Sequence, residues 1–282
     1  MGRVRRSLAR LSALAGVLVA SCASMPPAHA AGTPIEDALW SAVSPGIDYA
    51  SFAWGSPRCE VHALRIDLTR VDVVATPPGK AWGQVDGRSL LDFSRDFNCD
   101  AAVNATPFYP ETWKRGETLY LSGVLLVDGQ LYAAPARRYV ALAFATDGRA
   151  SVVQQGELGD GGNWHIVVGG FFALLRDGEI IARKSPRQPM TVAGVEAGGQ
   201  GLILAVIEGR RPASAGVSEA EAAQLLLDLG SVDGMSFDGG GSSSMAIGGE
   251  GKELRLVNPP APGFPPIERV LATCLGFRAK AP

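Results

Sequence analysis

The sequence is poor in residues that build metal or redox centres. It holds three histidines, His29, His62 and His165, and four cysteines, with no C-x-x-C spacing. A histidine-rich zinc site is therefore not expected, nor any other metal or cofactor. Charge is also scarce, at 19% of residues against 46% hydrophobic, and no long polar tract occurs. That balance can bury a sizeable core and excludes a disordered chain. A basic excess is missing too, since the formal net charge is −2. That balance disfavours nucleic acid as a partner, because phosphate backbones are bound by basic patches. Glycine (35) and proline (19) are plentiful. They point to many turns and short strands rather than a helical bundle.

The first residues read as an export signal. "MGRVRRSLAR" carries Arg3, Arg5, Arg6 and Arg10 and no acid, and "LSALAGVLVA" follows as a short apolar run. The run is too short to span a bilayer as a stable helix. "VASC", ending at Cys22, looks like a lipobox, which would make residues 1–21 the signal peptide and Cys22 the lipidated residue. "AHA" at Ala28–Ala30 offers an alternative cleavage after Ala30. Removal of residues 1–21 takes four positive charges and no negative ones, leaving −6. The expected location is the periplasm or cell envelope, with the membrane met only through a lipid on Cys22. Oxidising conditions there allow one disulfide, and Cys59 with Cys99, each beside an expected strand, is the expected pair.

Residues 22–56 read as a linker and an irregular lead-in, and residues 57–280 as one domain. Strand-like runs recur, among them "VHALRIDL", "YVALAFAT", "GLILAVIE" and "RVLATCLGF", often separated by D-G or G-G turns. One helix is well marked. Ser218 with Glu221 makes a capping box, Ala222, Leu225, Leu226 and Leu229 form an apolar face, and Gly230 ends the helix. A second helix is expected over 88–97. The fold class is α+β: a mixed, largely antiparallel sheet with a few packed helices.

Most of the chemistry sits in "FDGGGSSSM", Phe237–Met245. Asp238 follows a short apolar run, so it stands at a strand end. Gly239, Gly240 and Gly241 permit positive φ and close approach by a ligand. Their N–H groups suit an anion-binding nest, and Ser242, Ser243 and Ser244 add hydroxyls. A carboxylate beside such donors is an arrangement for acid–base chemistry. No Lys follows the glycines, so this is not a P-loop, and the G-x-S-x-G elbow is absent.

"DLGSVDGMSFDGGGSSSM" resembles the signature of the phosphodiester glycosidase family. "CDAAVNATPF", "VVGGFFALLRDGEI", "LILAVIEGRRPASAGVSEAEAAQLLLDLG" and "VNPPAPGFPPIERVLATCLGF" are similar to further motifs of that family, so the likeness runs over about 60–277. It implies a hydrolase acting on a sugar-1-phosphodiester or related glycosidic linkage, in an envelope or extracellular polysaccharide. Carried over position by position, it marks Asn104, Glu208, Gly209, Arg210, Asp238, Gly239, Gly240, Gly241, Ser242, Ser243, Glu268 and Arg269. Asp238 and Glu208 would be the carboxylate pair that glycoside hydrolysis usually needs. Arg210 would hold phosphate through its fork of donors, and Asn104 a sugar hydroxyl. Glu268 and Arg269 read as a structural ion pair.

Three departures stand out. Glu208 replaces the family's aspartate, Met190 occupies an arginine position with Arg187 close by, and "NATPF" replaces N-G-G-F-F. The Met190 and Glu208 departures keep open a non-catalytic glycan-binding lipoprotein of the same fold. A third reading is a serine hydrolase using Ser242 or Ser243 with His62 or His165.

Overall fold

The apolar run Gly201–Ile207 is a strand buried on both faces. Leu202, Leu204 and Val206 enter one core, while Ile203, Ala205 and Ile207 enter another. A strand with two buried faces loses the alternation of polar residues and reads as continuous hydrophobicity. The computed structural model describes residues 35, 39–79, 81–159, 162–249, 253–260 and 268–281. The expected signal peptide, Cys22 and the cleavage site after Ala30 lie outside the described residues.

Gly201–Ile207 belongs to a sheet of eight strands. Across that sheet run Ser41–Ser44, Ile47–Trp54, Cys59–Asp67, Gly201–Ile207, Met190–Val195, Asp233–Ser236, Ala173–Arg176 and Glu179–Ile180. A five-stranded sheet centres on Trp164–Gly169, and another has Ala101–Asn104 at its middle. A small sheet joins Gln84–Asp86, Thr118–Leu121 and Phe108–Tyr109. The main core fills the space between the three larger sheets, with Leu64, Val103, Leu142, Leu204, Met235 and Phe237 among its members. The helix Glu219–Asp228 covers the outer face of the eight-stranded sheet through Ala222, Ala223, Leu225 and Leu226. Its capping box is formed, Ser218 accepting from the Glu221 N–H and Glu221 from the Ser218 N–H. The helix Leu90–Asp96 starts at Ser89, whose hydroxyl accepts from the Asp92 N–H at 3.1 Å.

Three expectations are corrected. The sheets are not mixed: every strand pairing among the described residues is antiparallel, and the fold is more β-rich than a balanced α+β. The lead-in is not irregular throughout, because Ser41–Ser44 and Ile47–Trp54 form a hairpin at the sheet edge. Pro45 and Gly46 look like loop residues and in fact make its turn, with Gly46 at φ +86°. Cys59 and Cys99 are not paired. They lie in different cores as free thiols, Cys59 against the face that packs on Glu219–Asp228 and Cys99 beside Leu90–Asp96. Burial pushes both thiols up to about 12.

Candidate active site

The strand Asp233–Ser236 delivers the chain to the glycine loop, and Met235 and Phe237 anchor it in the main core. From there the loop is pinned on both sides. The Phe237 N–H donates to Thr191 O (2.9 Å), Asp238 N–H to Ala105 O (2.9 Å) and Gly240 N–H to Pro189 O (2.9 Å). Asn104 braces it from below: its amide nitrogen donates to Asp238 O at 2.7 Å, and its oxygen accepts from Thr191 Oγ1 (2.6 Å) and Ser244 N–H (3.1 Å). Gly240–Ser242 then turns as a single 3-10 turn, with Gly240 at φ +59°.

A cavity of about 490 Å³ opens on this loop. Its wall includes Asp238, Gly239, Gly240, Gly241, Arg210 and Arg269, together with Glu111 and Glu219. Phe108, Tyr139, Phe171 and Phe172 supply aromatic faces. The loop lies under two guanidiniums. A Cβ at Gly240 would stand 3.4 Å from Arg210 Nη2, and one at Gly241 would collide with Arg269. Arg269 also reaches Glu111, Nη2 to Oε2, at 2.9 Å. Arg210 itself sits at φ +58°, a left-handed conformation that costs a non-glycine residue energy. That backbone turns its side chain across the glycines.

Asp238 is the perturbed acid of the cavity. Burial pushes its carboxyl up to about 6; the Ser242 hydroxyl, the Arg269 charge and the Gly239 N–H pull it back, and Glu111 raises it further. Glu219 is also held above its ordinary value by burial, against the pull of Arg183. A carboxyl that titrates near neutral pH can both accept and release a proton under working conditions.

The structure separates residues that the sequence grouped. Glu208 does not line the cavity. Its Oε1 meets His62 Nε2 at 3.0 Å, and His62 Nδ1 meets Tyr49 Oη at 2.8 Å, so Glu208 closes a buried polar chain beyond Pro189. The expected pairing with Asp238 is replaced by Glu111 and Glu219 as the other acids at the wall. Asn104 is 1% exposed and its oxygen is fully engaged, so it positions the loop instead of meeting a sugar hydroxyl. The glycine loop is not the open nest expected, since the Gly240 N–H is already bonded. Ser242 and Ser243 are buried behind the loop. His165 is half-exposed near Asp128, and neither His62 nor His165 lines the cavity, so neither of the two histidines expected to pair with Ser242 or Ser243 stands there. Glu268 and Arg269 do not pair. Glu268 accepts from the Leu90 N–H at 2.8 Å, capping that helix, while Arg269 turns into the cavity. Arg187 does not stand in for Met190: it binds Glu221 and the Gly216 carbonyl, and Met190 leaves an apolar spot in the wall.

With this geometry in place, comparison gives the class. A phosphodiester glycosidase family profile matches residues 97–278. The chain belongs to the phosphodiester glycosidase family, a hydrolase family whose members act on carbohydrate-type substrates. The fold is similar to the zebrafish N-acetylglucosamine-1-phosphodiester alpha-N-acetylglucosaminidase catalytic domain, auto-inhibited by pro-peptide. That likeness has TM-score 0.64 and 18% identity, covering 89% of this chain and 87% of that one. A hypothetical protein from Synechocystis matches with TM-score 0.59 and 14% identity over 84% of this chain, which spans 62% of that protein's length. At these identities the likeness shows the fold alone. No curated protein sequence matches the chain.

Proposed function

We propose that this protein is an exported hydrolase that cleaves a sugar-1-phosphodiester or related glycosidic linkage in an envelope or extracellular polysaccharide. The observation that carries the reading is the Asp238 carboxyl, held near pKa 6 in a cavity with Arg210 and Arg269. Glycosidases commonly need one acid to protonate the leaving oxygen and one base to activate water. A phosphate monoester is an easier leaving group, because its second proton has a pKa of about 6. Two guanidiniums can take the place of the proton donor by stabilising the departing charge. Asp238 then acts as base. Water attacks the anomeric carbon and gives its proton to Asp238, and the C1–O bond breaks with its electron pair leaving on the phosphate. The aromatic residues of the wall suit a sugar ring.

The basic N-terminus and apolar run support export, and fractionation that leaves the full-length chain in the cytosol would refute it. The apolar Met190 in the wall favours one second reading, a glycan-binding protein without turnover. A panel of chromogenic sugar-1-phosphodiesters separates the two. The hydrolase reading predicts release of chromophore from at least one member; binding of glycan without release from any member supports the other.

A further inference from the structure

A second cavity, about 480 Å³, adjoins the first and shares Tyr139, Phe172 and Glu219 with it. Its character differs. Arg138 and Arg183 stand on its wall, and the charge of Arg183 acts on Glu219 across it. Glu219 faces both spaces, and among the described residues it is the only acid on the second wall. Arg138 is held in place by the ring of Tyr139, its guanidinium carbon 4.5 Å from the ring centre. That ring in turn packs edge-on against Phe171 and Phe172, at 5.1 and 5.7 Å. Phe172 and Ile181 keep 41% and 43% of their surface exposed beside it. Two arginines facing a single acid, next to exposed apolar surface and joined to a reaction cavity through a fixed aromatic wall, form a place for a further anionic unit of a polymer.

Resting on the hydrolase reading above, we propose that the second cavity binds an oxyanion carried by a sugar unit next to the scissile linkage, so that the preferred substrate is an acidic oligosaccharide or polysaccharide. Arg138 and Arg183 take the phosphate or carboxylate of that unit, and Phe172 takes its ring. The site confers preference for chain length and charge without touching the reacting atoms.

The test uses the full chain with three oligosaccharide series of equal length, each holding one sugar-1-phosphodiester: neutral, uronate-bearing and phosphate-bearing. The wild type is compared with Arg138→Ala/Arg183→Ala. The expected result is a KM about tenfold lower for an acidic than a neutral oligomer in the wild type, the size of one good charge-assisted contact. The double variant loses that advantage, while kcat, and KM for a minimal substrate, stay within about twofold. Whichever acidic series shows the larger loss identifies the oxyanion. Equal KM for neutral and acidic oligomers in the wild type overturns the proposal, as does a double variant that weakens minimal and extended substrates alike. Calorimetric binding of the same oligomers gives a readout independent of turnover. Acidic preference without turnover would sink the hydrolase reading and leave this subsite standing; turnover without acidic preference would do the reverse.

Discussion

The guanidinium of Arg210 lies over Gly240, and a Cβ on that glycine would stand 3.4 Å from its Nη2. Gly240 is also at φ +59°, where a side chain is strained. Gly240→Val therefore carries two penalties. It should lower stability by about 1–3 kcal/mol through the backbone, and it should displace Arg210 and raise KM. Thermal melts and steady-state kinetics measure both. A variant with unchanged melting and unchanged KM would show that the loop and Arg210 are not coupled.

Glu268 and Arg269 are neighbours in sequence with opposite duties. Arg269→Ala removes a cation from the cavity, and kcat/KM should fall about tenfold to a hundredfold, as for loss of a hydrogen bond to a charged group. Glu268→Ala removes the acceptor of the Leu90 N–H and should lower stability by about 1 kcal/mol, leaving kcat near wild type. The reverse pattern would put Glu268 at the chemistry.

That pair shows where sequence reading stopped. The capping box at Ser218 and Glu221 was legible because its signal is local: two residues, three apart, ahead of an apolar face. The glycine loop and Asp238 were legible for the same reason. Which of Glu268 and Arg269 faces the cavity depends on the direction of an irregular segment, and no spacing rule fixes that. Glu208 was misread because a carboxylate at the end of a strand looks alike whether it meets substrate or His62, and His62 is 146 positions away. The hairpin at 41–54 was missed because Phe52, Ala53 and Trp54 are all buried, which erases strand alternation.

The Tyr49–His62–Glu208 chain is structural in this account. His62→Ala leaves the buried Glu208 carboxylate short of a partner and should cost about 1–3 kcal/mol. Turnover per folded molecule should change by less than about tenfold, below the range expected of an acid–base group. A loss of a hundredfold or more with unaltered melting would return Glu208 or His62 to the mechanism.

The raised pKa of Asp238 has a consequence for stability. Ionising a carboxyl whose folded pKa is about 6, against an ordinary 3.8, costs folding free energy. The contribution favouring the fold is complete below the unfolded pKa and is lost as pH rises through the folded one. The cost reaches at most about 3 kcal/mol, and less because one side of the carboxyl meets the cavity. Asp238→Asn removes this ionisation. Its melting temperature should match wild type near pH 3.5 and exceed it increasingly between about pH 4 and 7. A variant less stable than wild type at pH 7.5 would mark Asp238 as a structural cap.

The central claim is that the ionised Asp238 carboxylate takes a proton from water during cleavage. The most direct measurement is the pH dependence of kcat/KM for wild type and Asp238→Asn, on the sugar-1-phosphodiester that wild type turns over best. The wild-type rate should fall as pH drops through about 6, the carboxyl's own pKa. Asp238→Asn, folded by thermal melt, should lose about a hundredfold or more at every pH and lack that limb. An Asp238→Asn enzyme with near-wild-type turnover and the same acid limb would contradict the account.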